Sequence, residues 1–237
     1  MQYRNRFATS LFDVILIFVS QIIPAVIPTS REHLLETLGL FSSFASEAQV
    51  DIVDGSFVPS VSWPYVETHD LETAFSDLLL PMPIELDLMI KSPEATLDSW
   101  NRLAPVRIVV HIESTENLES IFEHRKNNAY KLGLALNNDT PLEKILSIDR
   151  KDYDYVELMG IDVIGVQGQP FDESVLDRIR TIKAVHPDLE ISIDGSVNET
   201  TVPLLREAGA DRFVVGSAIL NAENPAKMYE KLSALAV

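Results

Sequence analysis

The chain has 237 residues, 46% hydrophobic and 23% charged, which is the make-up of a globular protein with one barrel-sized domain and a full core. A formal net charge of −17 excludes the basic footprint that nucleic-acid binding needs, and it leaves backbone amides rather than a basic patch to hold any phosphate. There is no cysteine, hence no disulfide framework, thiolate metal site or cysteine nucleophile, in keeping with a cytoplasmic setting.

Residues 1–10 carry Arg4 and Arg6, and residues 11–19 are apolar except for Asp13. The run lacks the small-residue cleavage pattern of a secretory signal, and it is shorter than the roughly 20 apolar residues that span a bilayer. Residues 1–20 therefore read as an N-terminal extension, helical or signal-like, ahead of a single domain over 21–237. No membrane partner is expected.

From there the pattern alternates. A strand over 21–27 leads to Ser30, a helix N-cap, and a helix over 31–44 with Leu34, Leu35 and Leu38 at helical spacing. Strand 49–53 is followed by a long loop, 54–69, and a helix over 71–79. Strand 84–90 precedes a helix over 94–103 opened by Pro93, and strand 107–112 a helix over 116–127. Strand 131–136 runs to a helix opened by Pro141; strand 155–161 runs through a glycine-containing loop to a helix over 173–185. Strand 191–194, helix 198–209 stopped by Gly209, strand 212–215 and a final helix over 226–235 complete the chain. Eight alternations with short connections predict an α/β fold, a closed (β/α)8 TIM barrel.

Side chains two apart in a strand share a face. Leu86 and Leu88, Ile108 and Val110, Val156 and Leu158, and Ile191 and Ile193 make aliphatic faces that suit packing under helices. The opposite faces carry Gln49, Asp51, Glu85, Asp87, Arg107, His111, Glu157 and Asp194, so a polar set points into the barrel. Arg107 and Glu157 read as an internal ion pair. His111 reads as a ligand contact or as a hydrogen-bonded core histidine. Asp51 and Asp194 end apolar strands beside small or polar loop residues, where barrel enzymes place chemistry. Asp194-Gly195-Ser196 and Gly216-Ser217 fall after the seventh and eighth strands, where this fold commonly binds phosphate on loop amides.

The run DIVDGSFVP at 51–59 resembles the second-strand motif of ribulose-phosphate 3-epimerases. Leu86-Asp87-Leu88-Met89 resembles their third-strand motif, and Val110-His111-Ile112-Glu113 their fourth. Gly133 to Asn137 with Thr140-Pro141, then Leu158-Met159 with Gly168, Gln169 and Phe171, resemble the fifth and sixth. Asp194-Gly195 and Gly216-Ser217-Ala218 resemble the seventh and eighth.

This resemblance implies a barrel of the ribulose-phosphate-binding type and an isomerase acting on a pentulose phosphate, a small phosphosugar, and it leaves a homo-oligomer open. It carries the two proton-transferring roles onto Asp51 and Asp194, and a pocket lining onto Met89 and Met159. It also implies a divalent metal, but the family's two metal-binding histidine positions are here Gln49 and Asp87. The set Gln49, Asp51, Asp87 and Asp194 offers oxygen ligands, which suit Mg, Mn or another hard cation better than Zn. The sixth-strand loop, over 162–169, also lacks the family's Pro-Gly-Phe-Gly-Gly run. Two alternatives stand beside the epimerase: a related phosphosugar decarboxylase, whose third-strand lysine has no counterpart between Glu85 and Asp87, and a non-catalytic phosphosugar-binding barrel.

Overall fold

A computed structural model describes residues 21–165 and 168–237. The extension over 1–20 lies outside the described residues. Eight parallel strands close in sequence order into a barrel: β1 (Gln21–Val26), β2 (Ala48–Val53), β3 (Ile84–Met89), β4 (Arg107–His111), β5 (Lys131–Leu136), β6 (Tyr155–Met159), β7 (Glu190–Asp194) and β8 (Arg212–Val215). β1 pairs with β8 to shut the ring. The helices are α1 (Arg31–Phe41), α2 (Leu71–Ala74), α3 (Leu97–Asn101), α4 (Leu118–Lys126), α5 (Glu143–Leu146), α6 (Ser174–Val185), α7 (Thr201–Ala208), α8 (Ser217–Leu220) and α9 (Pro225–Ala236). Among the described residues no helix is long and apolar enough to cross a membrane.

The aliphatic strand faces pack outward, as their period of two dictates. Val50, Ile52, Leu86, Leu88, Ile108, Val110, Val156, Leu158, Ile191 and Ile193 all join the main core under the helices. Each such burial contributes about 1.5–3 kcal/mol, which fixes the register and forces the alternate residues inward.

Several helices are shorter than their apolar spacing predicts. The helix expected over 71–79 ends at Ala74 and is followed by Asp77 at φ 54, a left-handed backbone that a helix cannot continue through. The segment expected over 94–103 divides into a 3-10 turn, Pro93–Ala95, and α3. Caps fare better: the Ser30 side chain accepts from the His33 amide at 3.1 Å, and Gly209 ends α7 at φ 111.

Inside the barrel, charge is sorted by height. At the N-terminal end, Arg212 pairs with Glu85 and with Glu47 at 2.6 Å, and the Tyr155 hydroxyl donates to Glu85 at 2.6 Å. Arg107 bonds Glu190 at 2.5 Å and lies over the Tyr155 ring at 4.8 Å. The expected Arg107–Glu157 pair does not form. Arg107 is the first residue of β4 and turns to the rim carboxylates, whereas Glu157 sits in mid-strand on β6 with neither carboxylate oxygen partnered. Cations thus plug the bottom of the barrel, and the acids above are left to one another.

Candidate active site

Register brings the upper acids together. Asp51 on β2 pairs directly with Asp87 on β3, so both side chains share the interior face, and Asp194 ends β7 opposite Met159 of β6. Asp51, Asp87 and Asp194 each offer a carboxylate oxygen, all within 4.8 Å of one another. Gln49, one turn of pleat below Asp51, donates its amide nitrogen to Asp51 Oδ1 at 3.0 Å and to Asp194 Oδ2 at 3.3 Å. A backbone bond from the Gly160 amide to the Asp194 carbonyl, 2.6 Å, pins the end of β7 to the end of β6.

Like charges in a sealed interior favour protons. Burial first, then the neighbouring charges of Asp194 and Asp87, hold the Asp51 carboxyl well above its ordinary range. Burial and then Asp87 push Asp194 up to about 7. Glu157, fully buried, is raised well above the usual carboxylate range by burial and then by Asp87. His111 runs the other way in cause: burial disfavours its charge, and the carboxylates of Asp87, Glu113 and Asp194 together more than offset that, so its pKa is raised. Its Nε2 lies 3.3 Å from Asp87 Oδ1, close enough for charge but without the alignment of a full hydrogen bond, so both Asp87 oxygens remain unpartnered.

Above this layer a cavity of about 140 Å³ opens at the C-terminal end of the barrel. Asp51, Asp194, Met89 and Met159 reach it from the strands, and Gly195, Ser196, Gly216, Ser217 and Gly168 reach it from the loops. Among the described residues no lysine or arginine lines it. Gly195 (φ 97) has no room for a Cβ, which would press on Ile161, and Ser196 holds the left-handed φ of 55 while its hydroxyl donates to the Gln169 carbonyl at 2.7 Å. Such a close backbone turn leaves amides, not side chains, to face an anion.

Gln49, Asp87 and His111 are not on the cavity wall; all three are fully buried beneath it. His111 keeps its expected inward face but reaches neither the cavity wall nor a hydrogen-bond partner, because the loop after β2 roofs it over. Asp54 accepts the amides of Ser56 (2.8 Å), Phe57 (3.0 Å) and Lys91 (2.9 Å), and this tethered loop sets the Phe57 ring 5.4 Å from the imidazole. Alternation gives a side chain's face and not what covers it.

Sequence reading did not foresee Gln49 as a donor to both aspartates, since that needs a distance across the barrel. Glu157 facing Ser192, both sealed and unpartnered, also escaped it, although the polar faces of β6 and β7 were visible. The donor set fits a divalent cation: three converging carboxylates, with both Asp87 oxygens buried and without a hydrogen-bond partner, are what such an ion would satisfy.

The sequence profile of the Ribulose-phosphate 3 epimerase family matches residues 21–220. A ribulose-phosphate 3-epimerase of Bacillus subtilis (strain 168) is 31% identical over 175 residues, 72% of this chain and 77% of that protein. One from Schizosaccharomyces pombe (strain 972 / ATCC 24843) is 27% identical over 220 residues, covering 90% and 92%. The barrel also superposes on KGPDC from Streptococcus mutans with a TM-score of 0.66 at 12% identity, covering 92% and 97%, a likeness of fold alone. With the profile spanning all eight strands, the chain belongs to the ribulose-phosphate 3-epimerase family, a family of carbohydrate-phosphate epimerases.

Proposed function

We propose that the chain inverts the carbon next to the ketone of a pentulose phosphate, with Asp51 and Asp194 as the paired acid and base. The observation that carries this reading is their convergence in one cavity whose lining also includes Gly195, Ser196, Gly216 and Ser217. Inversion requires a proton to leave one face of the carbon and return to the other, so it needs two groups, one ionised and one protonated. Burial and mutual repulsion supply that state, because two neighbouring carboxylates cannot both be charged at little cost.

The loop amides would take the phosphate, which fixes the sugar so that the carbon to be inverted sits between the two carboxylates. Met89 and Met159 line the wall there and limit water around the reacting carbon. Asp51, Asp87 and Asp194 would hold a divalent cation, of magnesium or manganese type, whose charge would stabilise the oxyanion that develops when the proton leaves.

The test is ribulose 5-phosphate with purified protein in deuterated water, with magnesium or manganese added or chelated. Epimer carrying solvent deuterium at the third carbon supports the reading. Carbon dioxide released from a keto-gulonate phosphate would support the decarboxylase instead, and saturable binding without exchange the non-catalytic barrel.

A further inference from the structure

We infer that Gln49 is the positioning residue that makes the two carboxylates a working pair. This assignment rests on the epimerase reading above and goes beyond it. One amide nitrogen carries two hydrogens, and here they go to two different acids, to Asp51 Oδ1 at 3.0 Å and to Asp194 Oδ2 at 3.3 Å. These acids lie on strands from opposite parts of the chain, and Gln49 is completely buried beneath them. Its own carbonyl, Oε1, has no partner, so within the described residues the side chain's only polar contacts are those two donations.

The geometry divides the four carboxylate oxygens into two kinds. Asp51 Oδ1 and Asp194 Oδ2 face down and each accept one hydrogen from the amide, which leaves each a lone pair for a cation. Asp51 Oδ2 and Asp194 Oδ1 are neither bonded to a side chain nor among the sealed, unpartnered atoms, and both residues line the cavity. These two outer oxygens are the atoms that carry protons to and from the sugar. A donor shared between the inner oxygens supports both acids rather than one, which suits a reaction that runs in both directions. It also fixes the span between the outer oxygens, on which delivery to opposite faces depends.

The variants are Gln49→Leu, which keeps bulk and removes both donors, and Gln49→Met as a second should the first fail to fold. Each is assayed in deuterated water with excess magnesium, with deuterium measured separately in recovered ribulose 5-phosphate and in its epimer. Loss of the tie should lower kcat by about 10²-fold, the usual effect of a small misplacement, and leave KM little changed because the phosphate end is untouched. It should also change the partition. With the second acid misaligned, the first exchanges its proton with solvent and returns deuterium to the same face, so recovered substrate labels ahead of epimer. A merely structural glutamine would not move that ratio. Folded variants with wild-type kcat and partition would overturn the assignment and leave the epimerase reading intact. A wild-type protein that labels neither sugar would overturn both.

Discussion

At the scale of the residue, the acids that make the site are also its thermodynamic weak point. Burial and then Asp87 push Asp194 up to about 7 in the folded protein, whereas a free aspartate lies at about 3.9. The folded state therefore holds a proton that the unfolded chain releases. The stability from this group is complete below the unfolded value and is lost as pH rises through the folded one. Asp51 and Glu157, also raised by burial and then by neighbouring carboxylates, add to that loss in the same direction. The exposed Asp70 and Asp149 are shifted down by their hydrogen bonds and act only below about pH 4. Metal-free protein should thus show a Tm that falls steadily from mildly acid to mildly alkaline pH. Magnesium should restore much of it on the alkaline side, since a ligand of the folded state alone stabilises it. Calorimetry across that range checks both, and a Tm that rises with pH would contradict the linkage. Gln49 shows why this level was only half legible in the sequence: alternation put it on the inner face beside Asp51, but nothing in one strand shows that its amide reaches Asp194 on β7.

At the scale of the element, strands were readable and short helices were not. A strand in a parallel barrel is fixed by an aliphatic face two residues in period, and each of the eight carries one. The helix expected over 71–79 had good apolar spacing, yet Asp77 at φ 54 ends it, and no periodicity reveals a positive φ at a non-glycine residue. Two glycines, one within a strand and one just after a strand, test how tightly the elements fit. A Cβ on Gly133 of β5 would strike the Tyr155 ring, which holds Glu85 through its hydroxyl. A Cβ on Gly160, just after β6, would strike the Gly195 carbonyl in the loop that faces the cavity. Both alanine variants should lose about 1–3 kcal/mol by overpacking. Gly133→Ala should keep its activity per folded molecule, while Gly160→Ala should raise KM for the phosphosugar. Denaturant titration beside steady-state kinetics separates the two, and equal kinetic damage in both would refute the division.

For the whole molecule, the barrel interior is split between a paired lower end and an unpaired upper end. Arg212 and Arg107 neutralise Glu47, Glu85 and Glu190 at the bottom, and above them the interior acids have only His111 as a basic companion among the described residues. This agrees with the general rule that barrels keep stability at the N-terminal face and chemistry at the C-terminal face. Replacing Arg212 by Met should cost about 3–5 kcal/mol, because Glu85 would be left buried without its cation. Activity measured well below the lowered Tm should be unchanged; a loss of activity without a loss of stability would contradict the split.

The same division explains what the sequence could and could not disclose. Composition and strand count point to a closed barrel, and the ends of β2 and β7 point to Asp51 and Asp194. That Arg107 pairs with Glu190 and leaves Glu157 unpartnered stayed hidden because both residues lie on the inner face, and only height along the barrel axis tells which acids a cation can reach.

The central claim is that Asp51 and Asp194 act as one acid–base pair on a phosphosugar. Its most direct test is proton NMR of the third carbon of ribulose 5-phosphate in deuterated water, with wild-type protein, Asp51→Asn and Asp194→Asn side by side. Wild type should form epimer labelled at that carbon, and each variant should lose epimer formation by about 10²–10⁴-fold while remaining folded. Epimer formed at the wild-type rate by either variant would contradict the account.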